Sequence, residues 1–273
     1  VAVGVYGLKI PCGQCVGCRL EYSRQWAVRC CHESTLHTFN SFITLTYDPE
    51  HLPADGSLDV SHFQKFMKRL RDRIKPLKIR FFHCGEYGDL TRRPHYHALI
   101  FGYDFPDRVL LKKSKSGDLF TSELLTSVWG LGHASVGDLT FESAAYVARY
   151  VMKKVNGSLK KSHYEVIDYD TGEVVDLKPE YTTMSRRPGI AGDWFDKYKD
   201  DVYPSDTIHL SGREMRPPKF YDKKMKSLDP ELMESIISSR LDRFDASNNT
   251  PERLKVRSDV TTARLAQYSR DVV

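Results

Sequence analysis

Three groups of residues in this chain carry reactive side chains at spacings that chemistry can use. The first is Pro94-His95-Tyr96-His97-Ala98-Leu99-Ile100-Phe101, two histidines one residue apart in a run that otherwise reads as a buried strand. Strand alternation turns both imidazoles to one face, roughly 6.5 to 7 Å apart along the backbone, near enough to share one cation. The triplet alone is a weak signal, because a chain with ten histidines produces one by chance roughly one time in three. Glu86 strengthens it: this carboxylate ends the preceding strand, and a short polar connection returns the chain beside it. Two imidazoles and one carboxylate leave open positions on a metal ion. Such an ion polarises a phosphate oxygen, and the mixed nitrogen and oxygen set suits Mn²⁺ or Mg²⁺, with Zn²⁺ also admissible. Asp89 competes with Glu86 for the third position.

The second group lies in Ser143-Ala-Ala-Tyr-Val-Ala-Arg-Tyr-Val-Met-Lys-Lys154. At about 100° per residue, with Tyr146 at zero, Tyr150 falls near 40°, Lys154 near 80°, Lys153 near -20° and Arg149 near -60°. Ala144, Val147, Ala148, Val151, Met152 and Val155 fill the other side. Core tyrosines would sit on that apolar side with a hydrogen-bonded hydroxyl. These two sit instead on the basic face, one turn apart, as nucleophiles in an electropositive setting would. A phenol ordinarily titrates near 10, so a metal ion or lysine must activate it. The competing reading is a DNA-backbone-binding helix whose tyrosines only donate hydrogen bonds, with Arg149 and Lys153 on phosphates.

The third group is Cys12, Cys15 and Cys18 at three-residue steps, followed by Cys30, Cys31 and His32. Thiolates at this spacing wrap a tetrahedral Zn²⁺ through a tight turn, which Gly13 and Gly17 permit. A structural Zn²⁺ is the preferred reading, with Cys30 as the fourth ligand. An Fe–S cluster also suits a three-cysteine run, and unliganded thiols are the bland alternative.

The elements that must hold these groups are legible in outline. A helix spans LEYSRQWAVRCCHE, a strand 42–48, and an amphipathic helix 61–74 whose stripe is Phe63, Phe66, Met67, Leu70 and Ile74. Strands 78–88 and 95–105 form an antiparallel neighbour pair, and helices cover 121–130 and 143–155. This order predicts an α+β fold, a central antiparallel sheet flanked by helices. After Gly157 the chain becomes rich in turn signals, with helices at 230–245 and 251–270. The expected division is a Cys-rich segment over 1–32, a core over 33–157 and a C-terminal accessory region over 158–273. Basic residues on the 61–74 helix, with Arg92 and Arg93, are expected to follow a phosphate backbone near the metal. Phe220 and Tyr221, among lysines, would either stack bases or anchor the C-terminal region.

Composition sets the outer limits. The chain has 273 residues, 40% of them hydrophobic and 28% charged, with a mean hydropathy of -0.47, values of a folded globular protein rather than a disordered one. No apolar run approaches the twenty residues of a membrane span, and no membrane partner is expected. The net charge of +5 permits nucleic-acid binding without requiring it. Six cysteines are too few for a disulfide scaffold, and the opening residues lack a signal-peptide pattern, so a reducing cytoplasm is expected.

Together PHYHALIFG, the GEYG before it, FITLTYD and YVARYVMKK resemble the HUH endonucleases, the rolling-circle replication initiators. With PCGQCVGCR, they are most similar to the initiators of gokushoviruses, single-stranded DNA phages of the microvirus group. The resemblance implies an HUH fold with His95 and His97 as metal ligands, Tyr146 and Tyr150 as nucleophiles and Lys154 facing phosphate. It implies metal-dependent nicking of a single-stranded DNA origin through a 5′-phosphotyrosine link, with strand transfer to rejoin the ends. It also implies host replication machinery as partners and the bacterial host cytoplasm as location. A transposase or relaxase of the same superfamily is the related alternative. A zinc-stabilised DNA-binding protein without chemistry is the alternative of another class.

Overall fold

The densest run of β-branched and aromatic residues, around Phe42-Ile-Thr-Leu-Thr46, lies in the middle of the largest sheet. In a computed structural model the protein is described over residues 2–3, 9–13, 15–88, 91–113, 117–150, 164–167, 172 and 174–267. In chain order the elements are β1 (Ala2–Val3), β2 (Lys9–Ile10), α1 (Val16–Ser34), β3 (Asn40–Thr46), α2 (Val60–Arg73), β4 (Arg80–Tyr87) and β5 (Pro94–Phe101). Next come β6 (Val109–Lys112), β7 (Leu119–Thr121), α3 (Glu123–Trp129), β8 (Ala134–Gly137), α4 (Phe141–Tyr150), β9 (Glu165–Ile167), β10 (Val174–Asp176) and β11 (Tyr181–Met184). The last are α5 (Gly192–Val202), β12 (Ile208–Leu210), β13 (Arg213–Met215), α6 (Lys219–Leu228), α7 (Pro230–Asp242) and α8 (Pro251–Gln267). The architecture is α+β, and no helix among the described residues is long and apolar enough to cross a membrane.

The chain divides into two compact units, Arg29–Asp193 and Val1–Val28 with Trp194–Val273. The first holds a seven-stranded antiparallel sheet of order β11-β4-β5-β3-β8-β7-β6. One of its faces is packed by α2 and α3 through Phe63, Phe66, Met67, Leu70 and Trp129, against Ile43, Leu45, Tyr47, Tyr96 and Ile100. Full burial of each large apolar side chain contributes about 1.5–3 kcal/mol before ordering entropy is subtracted. Helix α2 starts where the Asp59 side chain accepts the Ser61 amide at 2.8 Å, an N-cap. The Tyr96 hydroxyl fixes that cap to the sheet, donating to the Asp59 carbonyl at 2.9 Å and accepting its amide at 3.0 Å. Gly132 lets the chain before β8 press against the end of β3: a Cβ there would lie 2.2 Å from the Asp48 amide nitrogen, at a φ of 137°.

Two expectations change at the level of the fold. The sheet does not end at residue 157, because β11 pairs with β4 from Tyr181↔Gly85 to Met184↔Phe82. A four-residue strand inside a turn-rich stretch leaves too little alternation to read. The basic face of α2 cannot line the histidine site, since α2 packs on the opposite side of the sheet from those imidazoles.

Within the other unit, Tyr221 is fully buried, stacked 5.6 Å from Trp194 and 5.4 Å from Phe195. It is an anchor rather than a base-stacking platform. Arg240 donates two hydrogen bonds to Asp222, both 2.8 Å, and another to Asp206 at 2.8 Å. This charge-assisted set ties α6 and α7 to the loop before β12.

Candidate metal and nucleophile site

Strand alternation on β5 puts His95, His97, Leu99 and Phe101 on one face and Tyr96, Ala98 and Ile100 on the other. The antiparallel register sets Glu86 opposite His95 on β4 and Thr44 opposite His97 on β3. Three neighbouring strands of a sheet interior therefore build the site. Glu86 Oε1 lies 2.8 Å from His95 Nε2 and 2.9 Å from His97 Nε2, and the three groups together could hold a metal ion. Ligand bonds of about 2.1 Å meeting near a right angle separate their donor atoms by about 3 Å, so the cluster already has the spacing of an octahedral edge.

The outer hydrogen bonds orient the rings for that role. His95 Nδ1 is 3.1 Å from the Arg93 carbonyl, which can only accept, so the ring proton lies on Nδ1. Nε2 then turns a lone pair toward the Glu86 carboxylate, a contact that needs positive charge between the two atoms. His97 Nδ1 is 2.9 Å from Thr44 Oγ1, the second contact by which ligating imidazoles are fixed. Burial pushes the Glu86 carboxyl up. Its hydrogen bonds from His95 and His97, with their charges, overcome this and hold it at about 2, so Glu86 is an anion at neutral pH.

Helix α4 covers this face. Its N-terminus is closed reciprocally, the Thr140 amide donating to Ser143 Oγ at 2.8 Å and the Ser143 amide to Thr140 Oγ1 at 3.1 Å, a capping-box arrangement. Ala144, Val147 and Ala148 are fully buried, as the period requires. Tyr146 is half-buried, with its ring 5.1 Å from the His97 ring and 6.2 Å from Phe42. Phe42 itself stacks on His97 at 5.6 Å, so one phenylalanine touches both the ligand and the phenol.

The family model for replication-associated protein ORF2 matches residues 40–155, the stretch that contains β3, Glu86, both histidines and α4. The replication-associated protein VP4 of Bdellovibrio phage phiMH2K is 34% identical over 232 residues, which cover 81% of this chain and 69% of that protein. The chain belongs to the replication-associated protein family. Spiroplasma virus 4 has a replication-associated protein ORF2 that is 33% identical over 80% of this chain and 68% of its own length. For ORF4 of Chlamydia phage 1 the identity is 31%, over 83% of this chain and 56% of that protein. No solved structure matches.

In this replication-associated protein the expected site residues divide into three sets. Glu86, His95, His97 and Tyr146 come together. Arg149 and Tyr150 are the last two residues of α4, while Lys153, Lys154 and the competing ligand Asp89 lie outside the described residues. Cys12, Cys15 and Cys18 form a second cluster, but Cys30 does not join it. Cys18 and Cys30 lie on one continuous helix, α1, so the twelve residues between them span about 18 Å. Cys30 is fully buried, and burial holds its thiol well above the ordinary cysteine range. Two residues of the site escaped the sequence reading, Thr44 and Phe42. A threonine and a phenylalanine in a strand are ordinary, and only the β3–β5 register reveals what they touch.

Proposed function

We propose that this protein is a rolling-circle replication initiator that nicks single-stranded origin DNA by tyrosine transesterification. The observation that carries the reading is the position of Tyr146, ring against ring with His97, beside a three-ligand cluster of the hard-cation type. Family membership supports the replication role, and the side chains support the chemistry.

Glu86, His95 and His97 would hold Mg²⁺ or Mn²⁺, which when bound polarises a non-bridging phosphate oxygen and offsets the charge that builds there. Thr44 and Phe42 keep the His97 ring in the orientation that ligation needs. The Tyr146 Oη attacks the scissile phosphorus. Its bond to phosphorus forms as the bond to the 3′ oxygen breaks, and the phenol proton ends on that leaving oxygen as a free 3′-OH. Arg149, Lys153 and Lys154, placed on the tyrosine face by the sequence period, supply positive charge for the phosphates. Tyr150, one turn along, would cut the regenerated origin after a round of synthesis. The 3′-OH released in that cut attacks the Tyr146 phosphodiester, closing the circle and returning the proton to the phenol.

The test incubates the protein with 3′-labelled and 5′-labelled single-stranded origin DNA and Mn²⁺, then resolves adducts on denaturing gels. A covalent adduct carrying the 3′ label is expected for the wild type. It should disappear in His97→Ala and in the Tyr146→Phe/Tyr150→Phe double variant, with the single variants showing which phenol cuts first. Tight binding without an adduct across origin substrates, by protein of wild-type circular dichroism, would replace this reading with DNA binding alone.

A further inference from the structure

Cys12, Cys15 and Cys18 lie where the chain enters α1, and their sulfur atoms are all within 4.8 Å of one another. Cys12 Sγ is 4.0 Å from Cys18 Sγ, about twice a disulfide bond. Sulfurs bound at about 2.3 Å to one tetrahedral ion stand about 3.8 Å apart, so the spacing is that of thiolates sharing a single ion. Cysteines of an Fe–S cluster bind different irons and stand farther apart, so the structure disfavours that alternative.

The turn is also preorganised. The Cys15 amide donates to Cys12 Sγ at 3.3 Å, a contact that strengthens when the sulfur is a thiolate. Gly13 sits at a φ of 72° with open space around it, so the backbone conformation, not crowding, calls for glycine. Cys18 occupies the first turn of α1, where the positive end of the helix dipole favours an anion. Burial, together with Cys15 and Cys12, raises the Cys18 thiol: three such groups resist losing protons together until a cation joins them. Among the described residues no fourth cysteine, histidine or carboxylate completes the set. Cys15 is exposed, so the cluster opens to water.

We propose that Cys12, Cys15 and Cys18 bind one Zn²⁺ through three thiolates, with solvent rather than Cys30 in the fourth position. This site is separate from the nicking chemistry and would stand if that chemistry were disproved.

The experiment loads the full chain with Zn²⁺ under reducing conditions, removes weakly held ion by gel filtration, and counts bound metal by mass spectrometry. Wild type and Cys30→Ser should hold equal metal, and Cys15→Ser should hold one ion per chain less. Alkylation mapping of the wild type supplies a readout that needs no variant: Zn²⁺ should protect Cys12, Cys15 and Cys18 together and leave Cys30 unaffected. Absence of that protection would overturn the proposal. So would equal metal in wild type and Cys15→Ser, a one-ion loss in folded Cys30→Ser, or iron with labile sulfide in place of zinc.

Discussion

The two ligand clusters of this protein are held in opposite ways. Glu86 and His97 are 1% and 0% exposed, and they stand on neighbouring strands whose register fixes their separation before any ion arrives. The three cysteines stand on a single turn that no core residue fixes, with Cys15 exposed. A preformed site spends little of its binding energy on order, whereas an ion at a local turn contributes its binding energy to forming that turn. The sheet site is thus expected to report on affinity, and the cysteine site on local folding.

The strongest way to break the comparison is His97→Ala. Loss of a buried ligand should weaken Mn²⁺ binding at the sheet site at least about a hundredfold, beyond the ordinary penalty for an outer partner. Titration calorimetry with Mn²⁺ reads it, and zinc content at the cysteines should not move. A parallel loss at both clusters would mean that they are coupled.

Acid probes the sheet site alone. The Glu86 carboxyl titrates at about 2 instead of its reference value of 4.5. Its folded value is lowered, so its stabilisation is complete above pH 4.5 and is lost as pH falls toward 2. The shift corresponds to roughly 3 kcal/mol. Urea unfolding of the metal-free protein from pH 6 down to pH 2.5 should show this loss, and Glu86→Gln should flatten it. Equal slopes in the two proteins would count against the buried ion pair.

Thr44→Val sharpens the contrast at smaller scale. The hydroxyl that meets His97 Nδ1 disappears while the strand keeps a β-branched residue, so Mn²⁺ affinity should fall about tenfold with little change in melting temperature. An unchanged affinity would show that Phe42 orients the ring by itself. The smallest effect is expected from Cys15→Ser without zinc, within about 0.5 kcal/mol of wild type because the residue is exposed. Chemical unfolding measures it, and a larger loss would mean that the thiol has a structural partner.

How much of this was readable in the sequence depends on the range of the contact. The alternation of His95, Tyr96 and His97 is local, and so is the helical period that buries Ala144, Val147 and Ala148. Both were legible from a few consecutive residues. The cluster with Glu86 depends on a hairpin register, and a short connection narrowed it enough to name the carboxylate. Thr44 and Phe42 depend on pairing across more than fifty residues, for which the sequence holds no local mark. Cys30 failed for another reason. Ligand spacing was judged along the chain as though it could fold back, but a helix beginning at Val16 makes the same interval rigid and straight.

Tyr96, between the two ligands, faces the other way, with its hydroxyl 2.7 Å from that of Tyr47. Strand β5 is therefore a partition between two chemistries, and its parity is fixed. Inserting or deleting one residue within it would bring the phenol to the ligand side and turn an imidazole into the apolar layer beneath α2. Such a change is lethal to both faces at once, while residues added between β4 and β5 alter neither. Length variation in this part of the molecule is confined to the connection, and a reading frame of two governs the strand.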